Sequence, residues 1–252
     1  MEFIKAAYMP FVYLIIGTLT ASAAAAAAPE AYAEHPMLWT LVSALITIPL
    51  CICQMWKNGY LKDENPEKAD IRDWMLLGVL ALAACIALNY GIELSGLMKL
   101  FPGFTEVSQR IYGGSLTEEL LAVALAAPVV EELLFRGLVY RGWKRLLGWK
   151  MAFVLSALFF GIYHRNVVQG LYAFLIGLLL AAVYECFETV LAPIIFHVVA
   201  NAVSVCMTEC MDMEWVRRSA GTEMAFTLAF MALGAFAGLL LYRRHSGRVQ
   251  QT

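Results

Sequence analysis

Charge is scarce in this chain. Only 15% of its 252 residues are Asp, Glu, Lys or Arg, against about 25% in a soluble domain. That shortage excludes a fold whose surface is solvated all round. The net charge of -2 leaves no basic field for nucleic acid, so none is expected as a partner. The six cysteines (Cys51, Cys53, Cys85, Cys186, Cys206 and Cys210) form no CxxC pair. All but Cys210 lie in apolar runs, where Cys behaves as a small hydrophobe, so neither a disulfide framework nor a zinc-finger-type site is expected. The chain has no HExxH helix, no visible repeat, and no linker long enough to hold a soluble domain.

What remains is apolar. Hydrophobic residues make up 61% of the chain, where roughly 45–50% is ordinary. Apolar runs of about 20 residues suffice to cross the hydrocarbon. Apolar runs start near Ala6, Met37, Trp74, Leu116, Met151, Val168, Val190 and Met224, the one from Met151 to Tyr163 being short for a full crossing. The expected fold is all-α, a polytopic helical bundle of about eight transmembrane helices within one integral membrane domain. The first run, about 6–28, also resembles a secretory signal peptide, with Lys5 before the apolar stretch and an Ala-Ser-Ala run behind it. Its length favours a retained span. The linker from Met98 to Ser115, with Pro102, Gly103, Gly113 and Gly114, reads as a loop or an interfacial segment. Thr117-Glu118-Glu119 reads as a helix start, with Thr117 as the cap. Basic residues gather in the 57–73 loop, at Arg141, Lys144, Arg145 and Lys150, and in the tail from Arg243 to Arg248. By the positive-inside rule these face the cytoplasm, with both termini there too, as in a multi-pass protein of the plasma membrane. Arg217 and Arg218 fall on the other side.

Against that background three groups of polar residues stand out. The first is Glu131, Glu132 and Arg136. Charge at bilayer depth costs at least a few kcal/mol per group, so carboxylates there point to function. An ion pair between Glu132 and Arg136, at i and i+4, accounts for one of them and leaves Glu131 over. The second group is His164 with Phe160 four residues before it. The third is His197 with Asn201, again on one helix face. Singly, each has a structural reading: a histidine at a helix end, a core histidine, an interhelical amide. Together they converge, because buried polar groups seek partners. A carboxylate–histidine pair can activate water, and donors in a dry site can hold an oxyanion. The chemistry that fits is hydrolysis of a peptide bond in or beside the membrane.

The ordered motifs Glu131-Glu132-x-x-x-Arg136, Phe160-x-x-x-His164 and His197-x-x-x-Asn201 resemble those of the CPBP family, the CAAX proteases and bacteriocin-processing enzymes. The resemblance covers roughly the second half of the chain. It divides the chain into variable N-terminal helices (1–115), a peptidase core (116–207) and a loop, last helix and basic tail (208–252). It implies that Glu131 is the general base, assisted by His164, and that His197 and Asn201 form the oxyanion hole. Glu132, Arg136 and Phe160 would support the site. It implies no metal and no cofactor. The partners implied are a peptide or protein substrate and the lipid bilayer.

Three other readings use the same residues. Two histidines and a glutamate are also a zinc set with an open position. A non-catalytic immunity or scaffold protein would bind a peptide through the same cavity. A transporter would use the Glu pair as a proton relay, though such folds carry repeats and broken helices. A shared site also sets a geometric condition. His164 lies about 20 Å along its helix from Lys150. Glu131 can meet it only if the fourth helix is long and tilted and runs on to about Leu146.

Overall fold

The computed structural model describes residues 2–64, 66 and 69–249. Lys68, one of the cations of the 57–73 loop, lies outside them. The chain begins with α1 (Glu2–Ala7) and α2 (Met9–Ala27). Pro10 in the first turn of α2 breaks what the sequence suggests is a single span, because proline fits a helix start and not its interior. A short α3 (Pro29–Glu34) leads into α4 (Pro36–Lys57) and then α5 (Ile71–Leu94). α5 begins at a capping box in which Asp70 and Asp73 satisfy each other's backbone N–H groups. The 98–115 linker is mostly helical, as α6 (Leu97–Leu100) and the amphipathic α7 (Gly103–Ile111).

α8 is the organising element. It runs without a break over residues 116–147, so the helix that carries the Glu pair does continue past Arg136. Its cap is Ser115, whose Oγ accepts from the Glu118 N–H. The sequence pointed instead to Thr117, two residues late, because both residues are good caps and acids follow both. Two stretches of α8, Leu120–Ala126 and Leu133–Tyr140, are wound as π-helix. Pro128 stands just past the first and lacks the N–H that an α-turn needs. The wider π-turn upstream absorbs that mismatch. The Glu pair therefore lies in a six-residue α segment, Ala127–Glu132, between two π stretches, a winding found often at functional sites.

Gly148, at φ 79°, turns the chain into α9 (Trp149–Tyr163). α10 (Val167–Phe187) follows, capped by Asn166, then α11 (Leu191–Glu209), α12 (Glu214–Arg217) and α13 (Ala220–Val249). Among the described residues six helices are long and apolar enough to cross a bilayer: α2, α4, α5, α10, α11 and α13. α8, with its polar groups, and α9, at 15 residues, run between the same two ends of the bundle.

Those two ends differ in charge. At one, Arg141 pairs with Asp63 and Glu64 at 2.9 and 2.5 Å, and Lys144 pairs with Glu185 at 2.6 Å. Arg244 there reaches Asp70 and Asp73. These contacts gather the far end of α4, the start of α5, the end of α8, the end of α10 and the end of α13 on one face. At the other end Arg217 pairs with Glu93, and His35 meets Glu118 at 2.5 Å.

α9 and α10 cross closely. A Cβ placed on Gly161 would stand 2.7 Å from the Gly170 carbonyl oxygen, and one on Gly170 2.9 Å from that of Gly161. This crossing fixes the turn at which His164 sits. Gly161→Val is expected to cost roughly 1–3 kcal/mol, as overpacking does, and to lower the thermal unfolding midpoint in detergent.

Candidate active site

The largest fully buried side chain in the bundle is Arg136. A guanidinium cannot shed its proton, so burying it demands acceptors. It finds two. Nη1 donates to Glu132 Oε1 at 2.8 Å, and Nη2 donates to the Gly177 carbonyl on α10 at 2.9 Å. The second bond depends on a missing side chain, since a Cβ on Gly177 would lie 3.3 Å from Nη2. The guanidinium carbon also stands 4.7 Å from the centre of the Phe160 ring, a cation–π contact. Arg136 thus joins α8, α9 and α10 at one point.

Glu132 passes the connection on. The same Oε1 accepts from His197 Nδ1 at 2.8 Å, and the Glu132 side chain is wholly buried. A carboxylate only accepts, so Nδ1 carries the proton and the Nε2 lone pair of neutral His197 is free. That Nε2 faces Glu131 Oε2 at 4.0 Å. The gap is too long for a direct hydrogen bond and suits one bridging oxygen. Glu131 is mostly buried, with 14% of its side chain exposed. The leftover carboxylate of the sequence is therefore the one that faces the cavity.

His164 follows the same logic. Its Nδ1 lies 2.8 Å from the Phe160 carbonyl, which only accepts, so Nε2 is again the basic nitrogen. Phe160 meets both imidazoles edge-on, at 4.8 Å for His164 and 5.9 Å for His197. Asn201 donates through Nδ2 to the Val123 carbonyl at 2.9 Å. Val123 belongs to the first π stretch of α8.

Glu131, His164, His197 and Asn201 all line one cavity of about 320 Å³. The condition set by the sequence is met, because α8 extends far enough to bring Glu131 level with the other three. Phe160 lines the same cavity, while Glu132 and Arg136 lie behind it with no exposed surface. A second cavity, about 560 Å³, opens between α2 and α4 and shares Thr40, Ala127, Glu131 and Tyr163 with the first. Glu131 thus stands where two cavities meet. No group of three or more His, Cys, Asp or Glu with metal-holding geometry occurs among the described residues.

Three participants escaped the sequence reading. The Gly177 and Val123 carbonyls carry no side-chain signal, and backbone acceptors of this kind become visible only once the helices are docked. The wall formed by α6 and α7 was also missed, since that stretch is rich in glycine and looks like a loop.

Residues 114–203 match the family model described as type II CAAX prenyl endopeptidase Rce1-like. The matched segment contains all three motifs, from Glu131 to Asn201. No curated protein and no solved structure matches the chain.

Proposed function

We propose that this chain, whose residues 114–203 match the Rce1-like family model, is a CAAX-type intramembrane endopeptidase in which Glu131 activates water without a metal. The observation that carries the reading is the chain Arg136–Glu132–His197, with His197 Nε2 facing Glu131 across 4.0 Å. A water between them can donate one proton to Glu131 and the other to His197 Nε2. Its remaining lone pairs then point into the cavity, toward a peptide carbonyl carbon. Glu131 takes the proton as the oxygen attacks. His164, with Nε2 free on the same cavity, is placed to assist the transfer. The C–N bond breaks as the proton passes to the leaving amine. Arg136 and Glu132 hold His197 in one tautomer, as a buried carboxylate behind an imidazole does in other hydrolases.

The oxyanion falls to Asn201, because neutral His197 spends its one N–H on Glu132 and has none to donate to it. One Asn201 N–H is held by the Val123 carbonyl, which orients the amide and leaves its second N–H for a developing charge. Asn201→Ala is expected to lower kcat by about 10²–10³, the loss typical of one oxyanion donor, with KM little changed. A fall in affinity at unchanged kcat would assign Asn201 to substrate binding instead.

The reading is tested with the detergent-purified protein and a diverse peptide mixture, the products being mapped by mass spectrometry. Cleavage is expected from the native chain, with and without a chelator, and none from Glu131→Ala. Loss of cleavage in the chelator arm would support the zinc reading. A Glu131→Ala protein that still cuts would refute the assignment. The basic end of the bundle faces the cytoplasm in this reading, and the membrane is the plasma membrane.

A further inference from the structure

We propose that the candidate site is reached from the extracytoplasmic side of the membrane, so its substrates are exported or membrane-inserted peptides that approach from that side. This rests on the peptidase reading for the word substrate, and on geometry for the side. The cavity is walled by one half of the bundle only. Met37 and Thr40 come from the start of α4, Asn89 and Ile92 from the end of α5, and Val168 and Gln169 from the start of α10. Each of these helices has its opposite end in the basic ion-pair face, where Arg141, Lys144 and Arg244 are paired. Asn201 and Ser204 stand toward the far end of α11, and Ser108 of α7 and Tyr112 line the cavity as well. α7 is amphipathic and packs on α10, and Phe104, Ser108 and Ile111 make it a wall of the cavity.

Toward the basic end the path is closed. Leu134, Phe135, Val139, Tyr140 and Leu180 fill the bundle beneath Arg136 with no exposed surface. Interiors packed this way hold few voids that would pass water, let alone a peptide. Short basic loops stay in the cytoplasm. The face with the Arg141–Lys150 cluster is then cytoplasmic, and the cavity opens on the other. A lipid-modified C-terminal cysteine is attached on cytoplasmic proteins, so that substrate would approach the closed end.

The test uses membrane vesicles of both orientations from cells that express the full chain. One arm labels thiols with a membrane-impermeant maleimide. Cys210 is exposed and follows α11 at the cavity end. Ser108→Cys probes the cavity wall, and Lys62→Cys the basic face; the last two are read with Cys53 and Cys210 replaced by serine. In right-side-out vesicles Cys210 and Ser108→Cys are expected to label at least tenfold faster than Lys62→Cys, with the order reversed in inside-out vesicles. Labelling of Lys62→Cys from outside would overturn the proposal. The native Cys210 arm decides it even if a variant fails to fold. A second arm adds to each vesicle type a hydrophilic peptide that the purified protein cuts. Cleavage confined to right-side-out vesicles is expected, and cleavage confined to inside-out vesicles would overturn the proposal. Outside labelling of Cys210 and Ser108→Cys, with no peptide cut by the purified protein, would uphold the direction of opening and refute the peptidase reading.

Discussion

Glu131→Gln is expected to lower kcat/KM for a cleaved peptide by about 10³ or more, since a positioned general base supplies roughly 10²–10⁴ of rate and the neighbouring groups cannot replace it. The substitution keeps shape and removes charge. Glu131 makes no direct hydrogen bond among the described residues, and the His197 Nε2 stands 4.0 Å from it. Loss of its charge therefore leaves the Arg136–Glu132–His197 chain intact, and the protein should accumulate in the membrane and melt within a degree or two of the native chain. Activity with normal stability would reject Glu131 as base. Glu132→Gln provides the contrast. It weakens the acceptor shared by Arg136 and His197, so both activity and stability should fall.

Arg136→Ala should have the largest effect on stability. Removing one partner of a buried ion pair costs about 3–5 kcal/mol, because the other charge is left without compensation. Here it strands Glu132, frees the Gly177 carbonyl and removes the cation from the face of Phe160. His197 loses its fixed orientation as a consequence, so the remaining folded protein should also be inactive. Arg136→Met, matched in size but uncharged, should be no better. Arg136→Lys should recover part of the stability and little activity, since an ammonium cannot reproduce the fork that meets Glu132 and Gly177 together. Expression and thermal unfolding in detergent read the first effect, and peptide cleavage the second. If Arg136→Met proved as stable as the native chain, the buried chain of contacts would not be what holds α8, α9 and α10 in register.

The motif residues were legible because of their rarity. In a chain this poor in charge, Glu131, Glu132 and Arg136 cannot be surface residues by accident, and His164, His197 and Asn201 follow at helical spacing in the next apolar runs. The i, i+4 ion pair and the identity of the leftover carboxylate could both be read from spacing. The wiring could not. The family resemblance assigned His197 to the oxyanion, while its Nδ1 meets Glu132 and its Nε2 faces Glu131, a geometry better suited to holding a water. The break at Tyr8, the cap at Ser115 and the π-winding around Pro128 are backbone choices between near-equal alternatives, settled by packing. The second cavity depends on how α2 leans on α4, and both helices are apolar along most of their length.

The most direct measurement of the central claim, that Glu131 activates water rather than attacking the peptide itself, is single-turnover hydrolysis in ¹⁸O-labelled water with the native protein in excess over a cleaved peptide. The proteolytic fragment of the enzyme that holds Glu131 and the new carboxyl terminus of the product would both be weighed. The account predicts one ¹⁸O atom in the product carboxylate and none in Glu131. Label in the Glu131 side chain would reveal an acyl-enzyme intermediate and contradict it.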